Sequence, residues 1–173
     1  MSKSSRKQLE QPINTNHLAL NASAKRIFLS SDKSTRKVVS HPHAISLNLK
    51  TRNEAGRGSA SNLFGGDFSD CLIIPIRNIA TNKVQGAQCI GPEGETRMCG
   101  TVADGVLIVG DANNLDDPWL IMAEWESLTS ELVRREHQVA VCSFGENNQE
   151  RVAKMVAEIY RPLDISILKR AAH

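Results

Sequence analysis

The chain is poor in aromatic residues: Phe, Trp and Tyr make up 4% of its 173 residues. A core must therefore be built from Ile, Leu, Val, Met and Ala. Long apolar runs are also missing. The longest, such as "CLIIPI" and "VLIV", fall far short of the ~20 residues that a bilayer-spanning helix needs. The leading stretch "MSKSSRKQLEQPINTNHL" carries basic residues with no apolar segment after them. That excludes a secretory signal and leads us to expect a cytoplasmic protein with no membrane partner. Cys71, Cys89, Cys99 and Cys142 form no CxxC pair, and no histidine stands at finger spacing from them. Buried free thiols are expected in place of a zinc site.

What is present fits an ordinary globular chain. Apolar content is 40% and charged content 23%, enough for one domain with a real core and an appended tail. The net charge of +2 conceals an asymmetry. Residues 1–60 hold 11 Lys/Arg against 3 Asp/Glu, and residues 61–173 hold 10 against 16, so the two parts carry +8 and −6. A basic, Ser- and Asn-rich leader before an acidic domain suits contact with a polyanion. It also suits a solubilising arm, since its cations are scattered. Residues 1 to about 35 read as poorly ordered, and the Gly/Ser stretch "NEAGRGSASNLFGGD" reads as the loop leading into the main domain.

From Asp70 onward the pattern sharpens. "CLIIPIRNI" reads as a strand, with Pro75 pointing to an edge position or a bulge. "ATNK" is a turn in which Asn82 can take positive φ, and "VQGAQCI" is the returning strand. "GPEG" turns again, into short strands at "ETRMCG" and "GVLIVG". After the exposed loop "DANNLDDP", "WLIMAE" is a buried strand. Leu128, Leu132 and Val133 then repeat at helical spacing, predicting an amphipathic helix of about ten residues. "VAVCSF" is a strand, Val152, Met155, Val156 and Ile159 mark a second helix stopped at Arg161–Pro162, and "DISIL" is a last strand. The order β-α-β-α-β predicts a mostly parallel sheet flanked by helices, preceded by an antiparallel meander.

In such a sheet, ligands bind beyond the carboxyl ends of the strands, and Glu124 falls there. One carboxylate holds Mg²⁺ poorly; phosphoryl-transfer sites use two or more. The last strand offers Lys169 and Arg170 instead. His41-Pro-His43 could bind a metal or be plain loop. Asp111, Asp116 and Asp117 could replace missing acids only by folding over the sheet edge. "GENN" after Phe144 could cradle a phosphate, a reading that Glu146 weakens. Arg77, Lys83 and Arg97, with Arg36 and Lys37 from the leader, are candidate nucleic-acid contacts, against a reading as solvated strand faces.

The stretches "LIIPIRNIATNKVQGAQCI", "GPEGETRMCG", "WLIMAEWESLTSELV", "VAVCSFGENNQERVAKMV" and "RPLDISIL", in this order and spacing, resemble a Toprim domain. More narrowly, they resemble the version found in primase-like proteins of phages, plasmids and integrative elements. The resemblance spans residues 70 to 168 and divides the chain into a basic, partly disordered segment at 1–66 and a Toprim-like domain at 67–173. It implies that Glu124 corresponds to the family's glutamate, a general acid/base or metal ligand. It also exposes two departures. The glycine expected after the glutamate is Trp125, whose ring would fill the space a substrate backbone needs. The expected Asp-x-Asp gives way to Lys169, Arg170 and Ala171. The resemblance thus implies a degenerate module that binds nucleic acid or a replication partner, with no cofactor. The alternatives are an active Mg²⁺-dependent primase or nuclease completed by another chain, and a mobile-element inhibitor of a host nucleic-acid-handling complex.

Overall fold

A computed structural model describes residues 15–129 and 138–169. The described part of the leader, read from the sequence as poorly ordered, opens with helix α1, Thr15–Ser30. Short helices α2, Thr35–Val39, and α3, Pro42–Ser46, follow, then strand β1, Gly56–Gly58, and helix α4, Ser61–Phe64. The strands continue as β2 Cys71–Asn78, β3 Val84–Ile90, β4 Thr96–Gly100, β5 Gly105–Val109, β6 Trp119–Met122 and β7 Val139–Cys142. Helix α5, Gln149–Ile159, and strand β8, Ile165–Ile167, complete the fold. The helix expected around Leu132 and Val133 lies outside the described residues; Trp125–Thr129 before it is a 3₁₀ turn.

All eight strands join one sheet in the order β4-β3-β2-β5-β7-β6-β8, with β1 also on β2. The expectation of a mostly parallel sheet is corrected. Pairs β1–β2, β2–β3, β3–β4, β2–β5 and β5–β7 are antiparallel, and only β6–β7 and β6–β8 are parallel. The reason is connection length. Tight turns join β2 to β3 and β3 to β4, which forces antiparallel pairing. The connections from β6 to β7 and from β7 to β8 are long enough for parallel crossovers. The meander and the parallel β7-β6-β8 trio both occur, but as halves of one continuous sheet.

Local chemistry accounts for the turns. Asn82 has φ +59° and donates its N–H to Asn78 O at 2.8 Å. The Asn78 Oδ1 accepts from Ala80 and Thr81 N–H at 2.9 and 3.0 Å, holding the loop. Gly94 carries φ +86° in the β3–β4 turn, a conformation that costs a glycine little. Pro75 lies where β2 has a partner on one side only: β1 pairs as far as Ile73 and β5 starts at Arg77. No ladder there needs the missing N–H, and the register shifts immediately after, at Ile76/Arg77.

Alternation along the strands sends side chains to two packed layers. Trp119, Ile121, Val139 and Val141 meet Val152 and Val156 of α5. Leu120, Met122, Ala140 and Cys142 face the opposite layer, with Val38 of α2, Ala44 of α3, Trp125 and Phe144. On the β2–β4 half, Ile73, Ala87, Cys89 and Cys99 are covered by Ala24 and Phe28 of α1 and by Phe68. All four cysteines are buried free thiols, and burial pushes the Cys142 thiol up to about 12.

The described leader is thereby stitched to the sheet. Asp32 pairs with Arg57 by two backbone hydrogen bonds of 2.8 and 2.9 Å. Gly56 passes so close to Ser31 that a Cβ there would collide with the Ser31 hydroxyl. Phe28 is 4% exposed. Phe28→Ala is expected to lower stability by about 3–5 kcal/mol, read as a reduced urea midpoint. An unchanged midpoint would mean that α1 does not dock on the sheet.

Candidate functional site

The carboxyl ends of the three parallel strands form one edge. Ser143 N–H donates to Met122 O at 2.8 Å, Gly145 N–H to Ala123 O at 2.9 Å, and Leu168 N–H to Ile121 O at 2.9 Å. Gln149, buried at the start of α5, ties its Nε2 to Leu168 O at 2.9 Å. A depression of about 480 Å³ lies here, lined by Glu146, Asn147, Gln149, Glu150, Ile167 and Lys169.

Glu124 sits at this edge, exposed, at the end of β6, and its carbonyl accepts Ser127 N–H at 3.2 Å. Trp125 does not fill the space above it. Its ring turns inward, 0% exposed, and its Nε1–H donates to Asn53 O at 3.0 Å, locking the strand end to the loop before β1. The donors do not fit Mg²⁺. The residue following β8 in the depression is the cation Lys169, and Glu146 and Glu150 stand on the other wall. Among the described residues, no three His, Cys, Asp or Glu side chains gather as a metal group. Arg170 lies outside the described residues.

The acidic loop cannot supply the missing ligands. Asp111 follows β5, which runs antiparallel to β7, and Asp116 and Asp117 precede β6. All three thus lie at the amino edge of the parallel strands. Four residues of β6 separate that edge from Glu124, roughly 13 Å at strand rise. The GENN segment turns through Phe144 at φ +53° and Gly145 at φ +143°, but the carboxylates of Glu146 and Glu150 beside the start of α5 oppose an anion.

His41-Pro-His43 is a helix cap, not a metal pair. His41 is fully buried. Its Nδ1 accepts His43 N–H at 3.3 Å, so Nε2 carries the proton and donates to Asp70 O at 3.2 Å. Both ring nitrogens are engaged by backbone. His43 instead faces Glu126, with Nε2 3.7 Å from Oε1.

Two of the candidate cations, Arg77 and Arg97, lie over aromatic rings, and Lys33 joins Arg77. Lys33 Nζ lies 4.8 Å from the centre of the Phe28 ring, and the Arg77 guanidinium 5.8 Å from it. Arg97 lies 5.8 Å from the Phe68 ring in the same hydrophobic cluster. Arg77 also donates to Asn82 O at 3.1 Å, which places it against the turn carrying exposed Lys83. Asp32 accepts Ser34 N–H at 2.8 Å. Its pKa is lowered first by the Ser34 hydrogen bonds and then by Lys37 and Lys33, so those two cations flank it. Arg36 and Lys37 are exposed on α2. Lys33, Lys25 and Arg26 were not singled out in the sequence. The signal was there in "AKRIFLSSDK", cations interleaved with an aromatic at helical spacing.

Burial lowers the His41 pKa from its usual 6.5, against the raising effect of Asp70. The unfolded chain therefore takes up the proton more readily than the folded one. The associated stability is complete above 6.5 and is lost as pH falls from there toward the folded pKa. Asp70, whose carboxyl is lowered first by its Arg57 hydrogen bonds, acts only below its usual 3.8. Melting temperatures between pH 7.5 and pH 5 should fall for the native chain and stay flatter for His41→Asn, which keeps a capping acceptor but cannot titrate. Equal slopes would refute a buried neutral His41.

Comparison with protein-family models, curated proteins and solved structures finds no match to this chain.

Proposed function

We propose that the chain is a nucleic-acid-binding module on a Toprim-type scaffold, without a metal-dependent active site of its own. The observation that carries this reading is the convergence of Lys33 and Arg77 on the Phe28 ring, with Arg97 on the neighbouring Phe68. Cations resting on aromatic faces are partly ordered before any ligand arrives, so less side-chain freedom is lost on binding. Lys83 lies in the hairpin turn against which Arg77 rests, and Arg36 and Lys37 are exposed on α2, where Lys37 and Lys33 flank Asp32. Arg and Lys donors of this kind suit phosphate oxygens, whose contacts fix position without reading sequence. Glu124 supports the same reading from the other side. It stands exposed at a strand end where an acid could act, and no metal-ligand group is found among the described residues.

The test is fluorescence anisotropy of labelled DNA across a salt series, with Mg²⁺ and with chelator. Binding should weaken steeply with salt and be indifferent to Mg²⁺. The combined Arg36→Ala, Lys37→Ala and Lys83→Ala variant should flatten the slope of log K against log salt by about one per lost phosphate contact. Glu124→Gln should change nothing. Binding that requires Mg²⁺ and is lost in Glu124→Gln would favour a metal-dependent enzyme. No binding at all would overturn the proposal.

A further inference from the structure

The two ends of the sheet carry exposed apolar patches of opposite charge. At the β4 end, α1 buries Ala24 and Phe28 on its inner side. A second stripe runs along its outer side at Leu18, Ala22 and Leu29, successive positions on one helical face. Leu18 and Leu29 are each 60% exposed. Ala22, Lys25, Arg26, Leu29 and Ser30 line a shallow groove of about 500 Å³ there, so this apolar stripe has a cationic rim.

The β8 end carries the complement. Leu163 is 78% exposed and Leu115 36%, and Leu163 N–H donates to Leu115 O at 2.9 Å, so the two leucines form one knob. Asp116 and Asp117 follow Leu115 directly, with Asp111 earlier in the same loop; Asp164 follows Leu163, and Glu158 and Arg161 flank the end of α5 just before it. Pro118 and Pro162 restrict both loops.

We infer that a second copy of this chain docks its acidic Leu115–Leu163 knob on the basic outer groove of α1. The charges and the apolar surfaces are complementary within one sequence. The groove lies on α1, which packs on β2, β3 and β4, and the knob lies in the loops before β6 and β8, at the other end of the strand order. A contact between two different patches so separated is heterologous, and it grows head-to-tail into chains or closes as a ring. Two leucines per knob make a small interface, so association is weak, concentration-dependent and sensitive to salt.

Sedimentation velocity of the full chain without nucleic acid, at rising protein concentration, tests this. The native chain should show a mass that grows with concentration and falls back with added salt. Lys25→Glu with Arg26→Glu gives two acidic patches, and Asp116→Lys with Glu158→Lys gives two basic ones. Each double variant alone should associate about tenfold or more weakly, and mixing the two should restore association. All four positions are exposed, so folding is not at stake, and circular dichroism verifies it. Leu163→Asp should stay monomeric alone and, keeping its groove, should cap native chains and stop their growth. A native chain that is monomeric throughout, association unaffected by either charge reversal, or a mixture that fails to recover would each overturn the inference.

Discussion

The central constraint is the burial of β2. Six consecutive residues, Cys71 to Ile76, are buried, so this strand is apolar on both faces and needs cover on both. Among the described residues, the acidic half sets α5 against the other end of the sheet and gives β2 only Leu63, Phe64 and Phe68 on one face. The leader supplies the cover: α1 on one face, and α2 and α3 on the other. One polar hub fixes the second layer. Arg57 grips Asp70 with two bonds of 2.8 Å and also donates to Lys37 O and Ser40 Oγ, while His41 donates to the Asp70 carbonyl. A half-exposed pair of this kind is weak as a charge pair alone. Its role is geometric, because four segments meet on two side chains.

Charge distribution follows from that packing. The cations of the leader are carried onto the β2–β4 end by the helices that bury β2, and the acidic loops remain at the β6–β8 end. A polar molecule results, with Lys33, Arg77 and Arg97 resting on phenylalanines at one end. Glu124 stands at the carboxyl end of β6, beside Trp125, which is drawn inward by the Asn53 carbonyl. Lys169 follows β8, where the resemblance led us to expect acids.

The sequence made some of this legible. Turn residues identified the β2–β3–β4 meander, because positive φ at Asn82 and Gly94 is a local demand. The short apolar runs "WLIM" and "VAVC" identified β6 and β7, each split between two hydrophobic clusters. Helix α1 was hidden for a physical reason. Its buried pair Ala24 and Phe28 competes with the outward stripe of Leu18, Ala22 and Leu29, so no single apolar face stands out. The direction of β5 against β7 was also hidden, since side-chain alternation is the same in parallel and antiparallel strands. At the site, Glu124 could be placed from its strand alone. The inward turn of Trp125 could not, because its partner carbonyl lies 72 residues away. Nor could the convergence of Arg77 and Lys33, which depends on α1 docking.

The folded leader and the β2–β3 hairpin form the proposed polyanion-binding face. Hydrogen exchange followed by mass spectrometry, with and without duplex DNA, tests this most directly. Added protection is expected in residues 25–37 and in the hairpin around 77–83, with none in the strand-end loops at 123–126 and 143–149. Protection confined to those strand-end loops, with α1 and α2 unchanged, would contradict it and return the function to Glu124.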